Sequence, residues 1–233
     1  MRKSYTLIEV LVVISILFFL ATIVFFNMQS AREREDRMKA LTFSSEFKSI
    51  NASFLVSEWT FDGPTSENET ATNMDVRDPW GDNHGEVIGA NITIKDKEDC
   101  VLGKCLEFNQ DQIEIEYNYN VEEVALEAWF YFNEYKNTNI LGIPSAFIFC
   151  QENDQFSFKV GDESISFSVP LKEWTLLTLV YKNNTLTVYR NGKFLKEEQA
   201  STSISNTEKK FIIGNIDGRI DNVRFYKFKK ENE

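Results

Sequence analysis

The sequence predicts a mainly β protein in which one long N-terminal α-helix carries an antiparallel β-sandwich. Three observations support this fold class. Residues 10–31 form a charge-free run of 22 residues, helical spacing continues beyond it, and short β-rich runs separated by turn residues fill the rest of the chain. At 233 residues the chain has room for one ordinary domain and a sizeable additional element.

Charge and cysteine content narrow the class of protein. The formal net charge of -11 would repel phosphate backbones, so we do not expect a nucleic-acid partner. The chain has 3 cysteines, of which Cys100 and Cys105 are close in sequence and Cys150 stands alone. In an oxidising compartment Cys100 and Cys105 could form a disulfide bond; reduced, they would act as small hydrophobic residues.

The apolar run near the N-terminus is long enough to cross a bilayer. At about 1.5 Å per residue, residues 10–31 give roughly 33 Å of helix, and the basic pair Arg2 and Lys3 favours a cytoplasmic N-terminus. A cleaved secretory signal, a plain signal anchor and a prepilin leader followed by its mature helix are the three interpretations. No small-residue cleavage pattern ends the run, which disfavours the secretory signal.

Glu9 stands where the apolar segment begins. A carboxylate drawn into lipid costs roughly 2.5 kcal/mol or more, so Glu9 requires a partner. The stretch Ser-Tyr-Thr-Leu-Ile-Glu-Val-Leu-Val-Val-Ile at residues 4–14 closely resembles the processing motif of type IV pilins and pseudopilins. The resemblance implies that a prepilin peptidase cleaves between Ser4 and Tyr5, that Tyr5 becomes N-methylated, and that Glu9 pairs with the Tyr5 amine of a neighbouring subunit. The family usually has glycine where this chain has Ser4, which predicts slower processing.

Helical spacing of apolar residues extends past the membrane run, at Phe43, Phe47, Ile50 and Phe54. We therefore expect a leader at 1–4 and one helix over 5–57, similar to the spine helix of a pilin. It would be transmembrane at about 8–28 and amphipathic over 29–56, with the charged block 32–37 as a solvated collar.

Short β-rich runs follow Trp59. Asn183-Asn184 and Asn191-Gly192 tolerate positive φ and flank the run 185–190, which predicts two consecutive hairpins. The nearly continuous apolar run 174–181 is typical of a central strand packed on both faces.

Several sequence signatures follow one another in this region. They are Trp-Thr-Phe-Asp at 59–62, Gly-Asp-Asn-His-Gly at 81–85, Gly-Lys-Cys-Leu-Glu-Phe at 103–108, Ala-Leu-Glu-Ala-Trp-Phe at 125–130, the runs 174–181 and 189–193, and Gly214 with 218–226. In this order they resemble the laminin G-like jelly rolls of the concanavalin A-like superfamily. The resemblance covers residues 58–228, leaving a charged tail at 229–233, and implies an antiparallel jelly-roll β-sandwich.

The same resemblance implies a structural calcium ion held by Asp62, Asn83 and Asp221, because oxygen ligands on loops suit calcium. The alternative is that these residues form local hydrogen bonds at turns and strand ends.

Candidate ligand-binding residues are aromatic side chains in or near predicted loops, whose ring faces could stack on sugars: Trp80, His84, Tyr117 and Tyr119. Core packing is the alternative for many of them. Glu114 and Glu116 face the same way on one predicted strand, but an ordinary solvated strand face explains them as well as a glycosidase does. The one histidine, His84, lies in a glycine-flanked loop, so a zinc site of several histidines or a Ser-His-Asp triad would lack parts. We therefore expect no enzyme.

These inferences predict a type IV pilin or pseudopilin subunit with an extracytoplasmic lectin-like domain. Its partners would be the membrane, other pilin subunits, a prepilin peptidase and a glycan or other surface ligand, and its location the cell membrane and then an extracellular pilus or pseudopilus. The alternatives are a monomeric membrane-tethered lectin whose leader is never cut and a tethered glycosidase that uses Glu114 and Glu116.

Overall fold

The computed structural model describes residues 7–117, 120–204 and 209–228. Ser4, Tyr5 and Tyr119, three of the predicted site residues, lie outside these ranges. The described residues form one helix, α1 Leu7–Ile50, a short 3-10 helix at Ala52–Phe54, and fifteen strands. The strands are β1 Leu55–Trp59, β2 Glu86–Ile88, β3 Thr93–Lys95, β4 Cys105–Asn109, β5 Gln112–Glu116, β6 Val124–Phe132, β7 Thr138–Ile143, β8 Phe147–Glu152, β9 Gln155–Val160, β10 Glu163–Phe167, β11 Thr175–Lys182, β12 Thr185–Arg190, β13 Lys193–Gln199, β14 Lys210–Gly214 and β15 Asp217–Lys227.

The strands form two antiparallel sheets. The eight-stranded sheet has the order β13-β12-β11-β6-β15-β4-β3, with β1 also paired to β15. The first part of β15 pairs with β4 and its second part pairs with β1, so one long strand holds both neighbours. The seven-stranded sheet has the order β10-β9-β8-β7-β14-β5-β2. This is the predicted antiparallel β-sandwich.

Alternating side chains from both sheets fill the space between them. In β5, Ile113 and Ile115 are buried and the glutamates between and beside them face outward, as the sequence predicts. Aromatic rings dominate this core, and stacked contacts such as Phe147 with Phe225 join the two sheets. Burying each such side chain contributes roughly 1.5–3 kcal/mol, so the sandwich has an ample core of its own.

The two asparagine turns form the hairpins predicted for them. Asn183 and Asn184 have φ of 51° and 56° between β11 and β12, and Asn191 and Gly192 have φ of 51° and 74° between β12 and β13. Asparagine and glycine adopt this left-handed backbone at low cost, which sets the register of both hairpins.

Helix α1 begins as an exposed apolar rod and ends against the sandwich. Leu7–Phe25 has a mean hydropathy of 2.9 and none of it is buried, which meets the length and composition of a membrane anchor or a signal sequence. The helix ends at Ile50, earlier than the expected 57. Leu55 instead pairs with Tyr226 and starts β1, because the strand pairing satisfies the backbone and buries this apolar residue.

Candidate functional site

The last turns of α1 lie on the face of the eight-stranded sheet that points away from the core. Ala40 of the helix packs against Trp129 and Leu176 of the sheet. Two helix aromatics make ring contacts with the same face, Phe43 with Tyr189 at 5.6 Å and Phe47 with Tyr226 at 5.2 Å between centroids. The helix is therefore docked along one apolar stripe.

Below this stripe lies a cluster of charged and hydroxyl side chains, most of them buried, which we call the docking cluster: Ser44, Lys48, Glu58, Glu127, Thr178 and Arg224. Arg224 is its centre. Its Nε donates to Glu58 Oε1 at 2.7 Å, and its Nη1 donates to Glu127 Oε1 at 2.8 Å and to Ser44 Oγ at 2.6 Å. A helix residue thus shares hydrogen bonds with two strands.

The remaining members complete the hydrogen bonding of the two carboxylates. Ser44 Oγ donates to Glu127 Oε1 at 2.8 Å and Thr178 Oγ1 donates to Glu127 Oε2 at 2.9 Å. Lys48 Nζ lies 2.6 Å from Glu58 Oε2. The two cations and two carboxylates balance, which is the condition under which a buried ionic network is tolerated.

The two carboxylates of the docking cluster differ in their electrostatics. Burial acts to raise the pKa of Glu58, but hydrogen bonds from Lys48 and Arg224 outweigh it and lower the pKa. Burial acts to lower the pKa of Arg224, and the charges of Glu127 and Glu58 reverse this and raise it. Burial raises the pKa of Glu127, and the charge of Arg224 opposes this shift without reversing it. The Glu58–Arg224 pair therefore favours its charged form, whereas the charge on Glu127 depends on its contact with Arg224.

The docking cluster was not predicted from the sequence. Glu127 and Arg224 each interrupt a strand whose other residues are mostly buried. Two charges of opposite sign in the interior of apolar strands are a signal for a buried pair, and the register confirms it by placing Arg224 opposite Glu127.

The residues predicted for calcium separate into two places. The carboxylate of Asp221 is fully buried and accepts hydrogen bonds from the backbone N–H groups of Val101 and Leu102, both at 2.9 Å. Asp62 accepts one from Lys104 N at 2.8 Å. The same loop thus contacts both carboxylates.

Burial raises the pKa of Asp221 to about 7, and the charge of Asp62 adds to this shift. Asn83 does not join them, because its Nδ2 donates to Ser57 Oγ and its backbone contacts Asp78 and Trp59. Within 7–117, 120–204 and 209–228, no group of three or more His, Cys, Asp or Glu residues could hold a metal ion. The calcium site stays a prediction for Asp62 and Asp221 only.

The loop that contacts both aspartates is closed by a disulfide bond between Cys100 and Cys105, with Cα atoms 5.5 Å apart. Gly103 at its tip has φ of 56°, and a Cβ there would lie 2.1 Å from Asp62 Oδ1. Only glycine fits this position, since both the backbone conformation and the close approach to Asp62 exclude a side chain.

The predicted ligand-binding aromatics do not form one site. Tyr117 is 3% exposed and its ring contacts Phe225 edge-on, so it belongs to the core and cannot stack on a sugar, which corrects the sequence-based expectation. Trp80 is 51% exposed, and its Nε1 donates to Leu55 O. His84 lies in a loop, and its Nδ1 atom accepts a hydrogen bond from the backbone N–H of Asp78 in the same loop. Tyr119 lies outside the described residues.

The glutamates considered for glycosidase chemistry form part of a solvated strand face. Glu114 pairs with Lys210 on the neighbouring strand, and the hydrogen bond from Lys210 lowers the pKa of Glu114. Glu116 is exposed. The lowered pKa of Glu114 is the opposite of the raised pKa that a general acid needs.

A groove lies where α1 meets the end of the eight-stranded sheet, with a volume of about 620 Å³. A second groove of about 570 Å³ adjoins it and shares Asp36, Glu173 and Asn191. We call the pair the junction groove. Its first part is lined by residues of α1, β6 and the turns before β11 and after β12, namely Arg34, Asp36, Arg37, Trp129, Tyr131, Lys172, Glu173, Trp174 and Asn191.

Comparisons with known proteins agree with this architecture. Residues 109–232 match the laminin G-like family model described as the concanavalin A-like lectin/glucanases superfamily. No protein with a curated description matches the chain.

Among solved structures, domain 4 of AbnA, an extracellular arabinanase from Geobacillus stearothermophilus crystallised with arabinotriose, is similar at a TM-score of 0.58 and 16% identity. That match covers 75% of this chain and 92% of the other. Trypanosoma rangeli sialidase in complex with the inhibitor DANA is similar at a TM-score of 0.51 and 16% identity, over 82% of this chain and 36% of the sialidase. At such low sequence identities, the structural similarity shows a shared fold alone.

The family match covers more than half of the residues, and the two-sheet sandwich observed in this protein is the fold of that family. The chain therefore belongs to the concanavalin A-like lectin/glucanase superfamily.

Proposed function

We propose that this protein is a type IV pilin-like or pseudopilin subunit that displays a lectin-like domain outside the cytoplasm. One observation carries the proposal: a single uninterrupted helix, Leu7–Ile50, has a wholly exposed apolar half and a half that is docked on the sandwich. A helix of this kind can pack its first half in lipid or against other helices while its second half holds the domain.

The exposed half requires a partner. Leu7–Phe25 is too apolar to remain in water, and lipid or neighbouring helices would cover it. Glu9 lies inside this half, and the pilin resemblance of residues 4–14 gives its carboxylate the Tyr5 amine of the next subunit as partner. Removal of residues 1–4 by a prepilin peptidase would create that amine.

The docking cluster supports the same role in a second way. In a filament of packed helices, the displayed domain keeps a fixed orientation only if it is held rigidly on its own helix. Buried hydrogen bonds make such a connection here, because they join Ser44 of α1 to Glu127 of β6 and Arg224 of β15. A flexible tether would need no such connection.

N-terminal mass spectrometry on the native membrane fraction tests the proposal. We expect the chain to start at Tyr5 and to carry one added methyl group. A chain that retains Met1 would contradict the pilin pathway and would favour the second candidate, a monomeric membrane-tethered lectin.

Assembly tests Glu9 separately. In cells that express the prepilin peptidase, Glu9→Gln should abolish sedimentable filaments, whereas Glu46→Gln, at an exposed position farther along the same helix, should leave them unchanged. Equal assembly of both variants would contradict the role of Glu9.

The lectin-like domain supplies the display role, either adhesion or binding of a glycan or surface protein. The fold similarity to a domain whose structure was determined with arabinotriose supports a saccharide as the ligand.

A further inference from the structure

We propose that the junction groove binds an acidic oligosaccharide, one that carries carboxylate groups as a uronic acid does. This inference deepens the proposed display function and rests on it, because the groove can meet such a ligand only if the sandwich lies outside the cytoplasm. The carrying observations are a surplus of positive charge, an aromatic wall and an extended shape.

Positive charge exceeds negative charge among the described side chains that line the groove. Arg34 and Arg37 form no ion pair with any side chain that the structure describes, and the same holds for Lys172. Asp36 is paired with Lys193 at 3.1 Å, which leaves Glu173 as the other described carboxylate beside these three cations.

This surplus of cations is unusual in its setting. The chain as a whole has a net charge of -11, so the groove differs in sign from the rest of the molecule. Such a local positive field attracts an anionic ligand.

Arginine is suited to the ligand class named here. Its planar guanidinium donates two parallel hydrogen bonds to one carboxylate, which fixes the orientation of the acid group as well as attracting it. Arg34 and Arg37 are separated by one helical turn, so both project from the same side of α1. They can contact two neighbouring acid groups or one group from two directions.

The groove lining also includes an aromatic pair. Tyr131 and Trp174 both line the groove and contact each other with ring centroids 5.7 Å apart, and the Trp174 ring is fixed by a hydrogen bond from its Nε1 to Asp99 O at 3.1 Å. Trp129 closes the floor and is 2% exposed. Flat apolar rings held in place favour the stacking of sugar rings.

The shape favours an oligomer over a single sugar. The two parts of the groove, about 620 and 570 Å³, each fall within the range of ordinary ligand sites and share Asn191 in their linings. Asn191 is itself held in place, because its Oδ1 accepts a hydrogen bond from Leu176 N at 2.8 Å. Its Nδ2 can still donate to a ligand.

A lipid headgroup would present similar charge, but the groove lining disfavours it. The charge-free run 10–31 ends three residues before Arg34, roughly 5 Å along the helix, so depth alone does not separate the two ligands. The aromatic pair Tyr131 and Trp174 favours a sugar ring over a phosphate group. Vesicle binding in the experiment below distinguishes a lipid surface from an oligosaccharide.

The test uses the full chain in nanodiscs of phosphatidylcholine. Hexamers of galacturonate and of mannuronate are titrated calorimetrically, each beside its uncharged methyl ester. We expect at least one acidic hexamer to bind, and we expect its methyl ester to bind with an affinity lower by about tenfold or more. The double variant Arg34→Gln/Arg37→Gln should weaken the acidic hexamer by about tenfold or more, and Trp174→Ala should weaken both forms.

The matched control is Arg77→Gln, since Arg77 is an exposed arginine outside the groove, and it should leave affinity within about twofold. The proposal is overturned if no acidic hexamer binds, if acid and ester bind equally, or if the arginine pair has no effect. It is also overturned if the arginine pair affects only the binding of vesicles that contain phosphatidylglycerol, since the ligand is then a lipid surface.

The N-terminal mass of the same preparation separates the two proposals. A Met1 start with hexamer binding would remove the pilin pathway and keep the groove assignment. A Tyr5 start without binding would do the reverse.

Discussion

Arg224 Nη1 donates to Glu127 Oε1 at 2.8 Å in a pair that lies between the helix and the eight-stranded sheet, with Glu127 fully buried. Neither residue can be removed alone without leaving a buried charge. The pair therefore makes the packing of the helix on the sandwich sensitive to single substitutions.

Replacing Arg224 by methionine should destabilise the protein by about 3–5 kcal/mol, because Glu127 and Glu58 lose their shared cation inside the fold. Denaturant unfolding of the full chain in detergent, followed by tryptophan fluorescence, measures this. Arg77→Met is the control, and its exposed side chain predicts a change within about 0.5 kcal/mol. The double variant Glu127→Met/Arg224→Met should recover much of the loss. A single variant as stable as the wild type would show that the pair is not buried in solution.

The fold was largely predictable from the sequence, and the reason is local. The alternation of apolar and polar residues at 112–116 predicts a strand without reference to the rest of the chain. The asparagines at 183 and 184 likewise predict a hairpin turn from their own tolerance of positive φ. The end of the helix was not predictable in this way. Phe54 continues the helical spacing of Phe47, but it belongs to a short turn against Phe228, near the other end of the chain.

The sites were harder to predict because their residues come from distant parts of the sequence. The junction groove joins Arg34 to Trp174, and the docking cluster joins Ser44 to Arg224, pairs that are distant in sequence. No periodicity places such residues together, since only the sheet order and the docking of the helix do so. Tyr117 shows the opposite error, because an aromatic residue at a strand end can turn inward and join the core.

Ser44→Ala should weaken helix docking by about 1–3 kcal/mol, since Glu127 and Arg224 each lose a buried hydrogen-bond partner. Its neighbour Ser45 is exposed, so Ser45→Ala is a control on the same turn of the helix and should be nearly neutral. Hydrogen exchange of the α1 amides at residues 38–48 detects the effect, with faster exchange expected for Ser44→Ala only. Equal exchange in the two variants would contradict the docking role of Ser44.

Thiol counting should find one reactive cysteine in the denatured, unreduced protein and three after reduction, because Cys100 and Cys105 are joined and Cys150 is free. In the native protein we expect no reaction, since burial raises the pKa of Cys150 to about 11. Cys100→Ala/Cys105→Ala should lower stability by about 2 kcal/mol, as the closed loop is short. Three reactive thiols before reduction would contradict the disulfide.

Asp221 predicts a pH dependence of stability. Its folded pKa, about 7, lies above the ordinary aspartate value of 3.8, so folding favours the protonated form. The contribution is fully present below about pH 4 and is lost as the pH rises through about 7. Relative to Asp221→Asn, the wild type should therefore lose stability between these values. Asp82→Asn, at a fully solvated carboxylate, should show no such difference. Parallel pH profiles for the wild type and Asp221→Asn would contradict the shifted pKa.

Calcium tests the remaining part of the metal prediction at the same carboxylate. An ion held by Asp62 and Asp221 would favour the ionised form of Asp221, so millimolar calcium should raise the Tm of the full chain at pH 8 and have little effect at pH 5. Asp62→Asn should remove the rise, whereas Asp82→Asn should retain it. A Tm that does not respond to calcium at pH 8 would mean that the N–H groups of Val101 and Leu102 already serve Asp221, and that no ion is bound there.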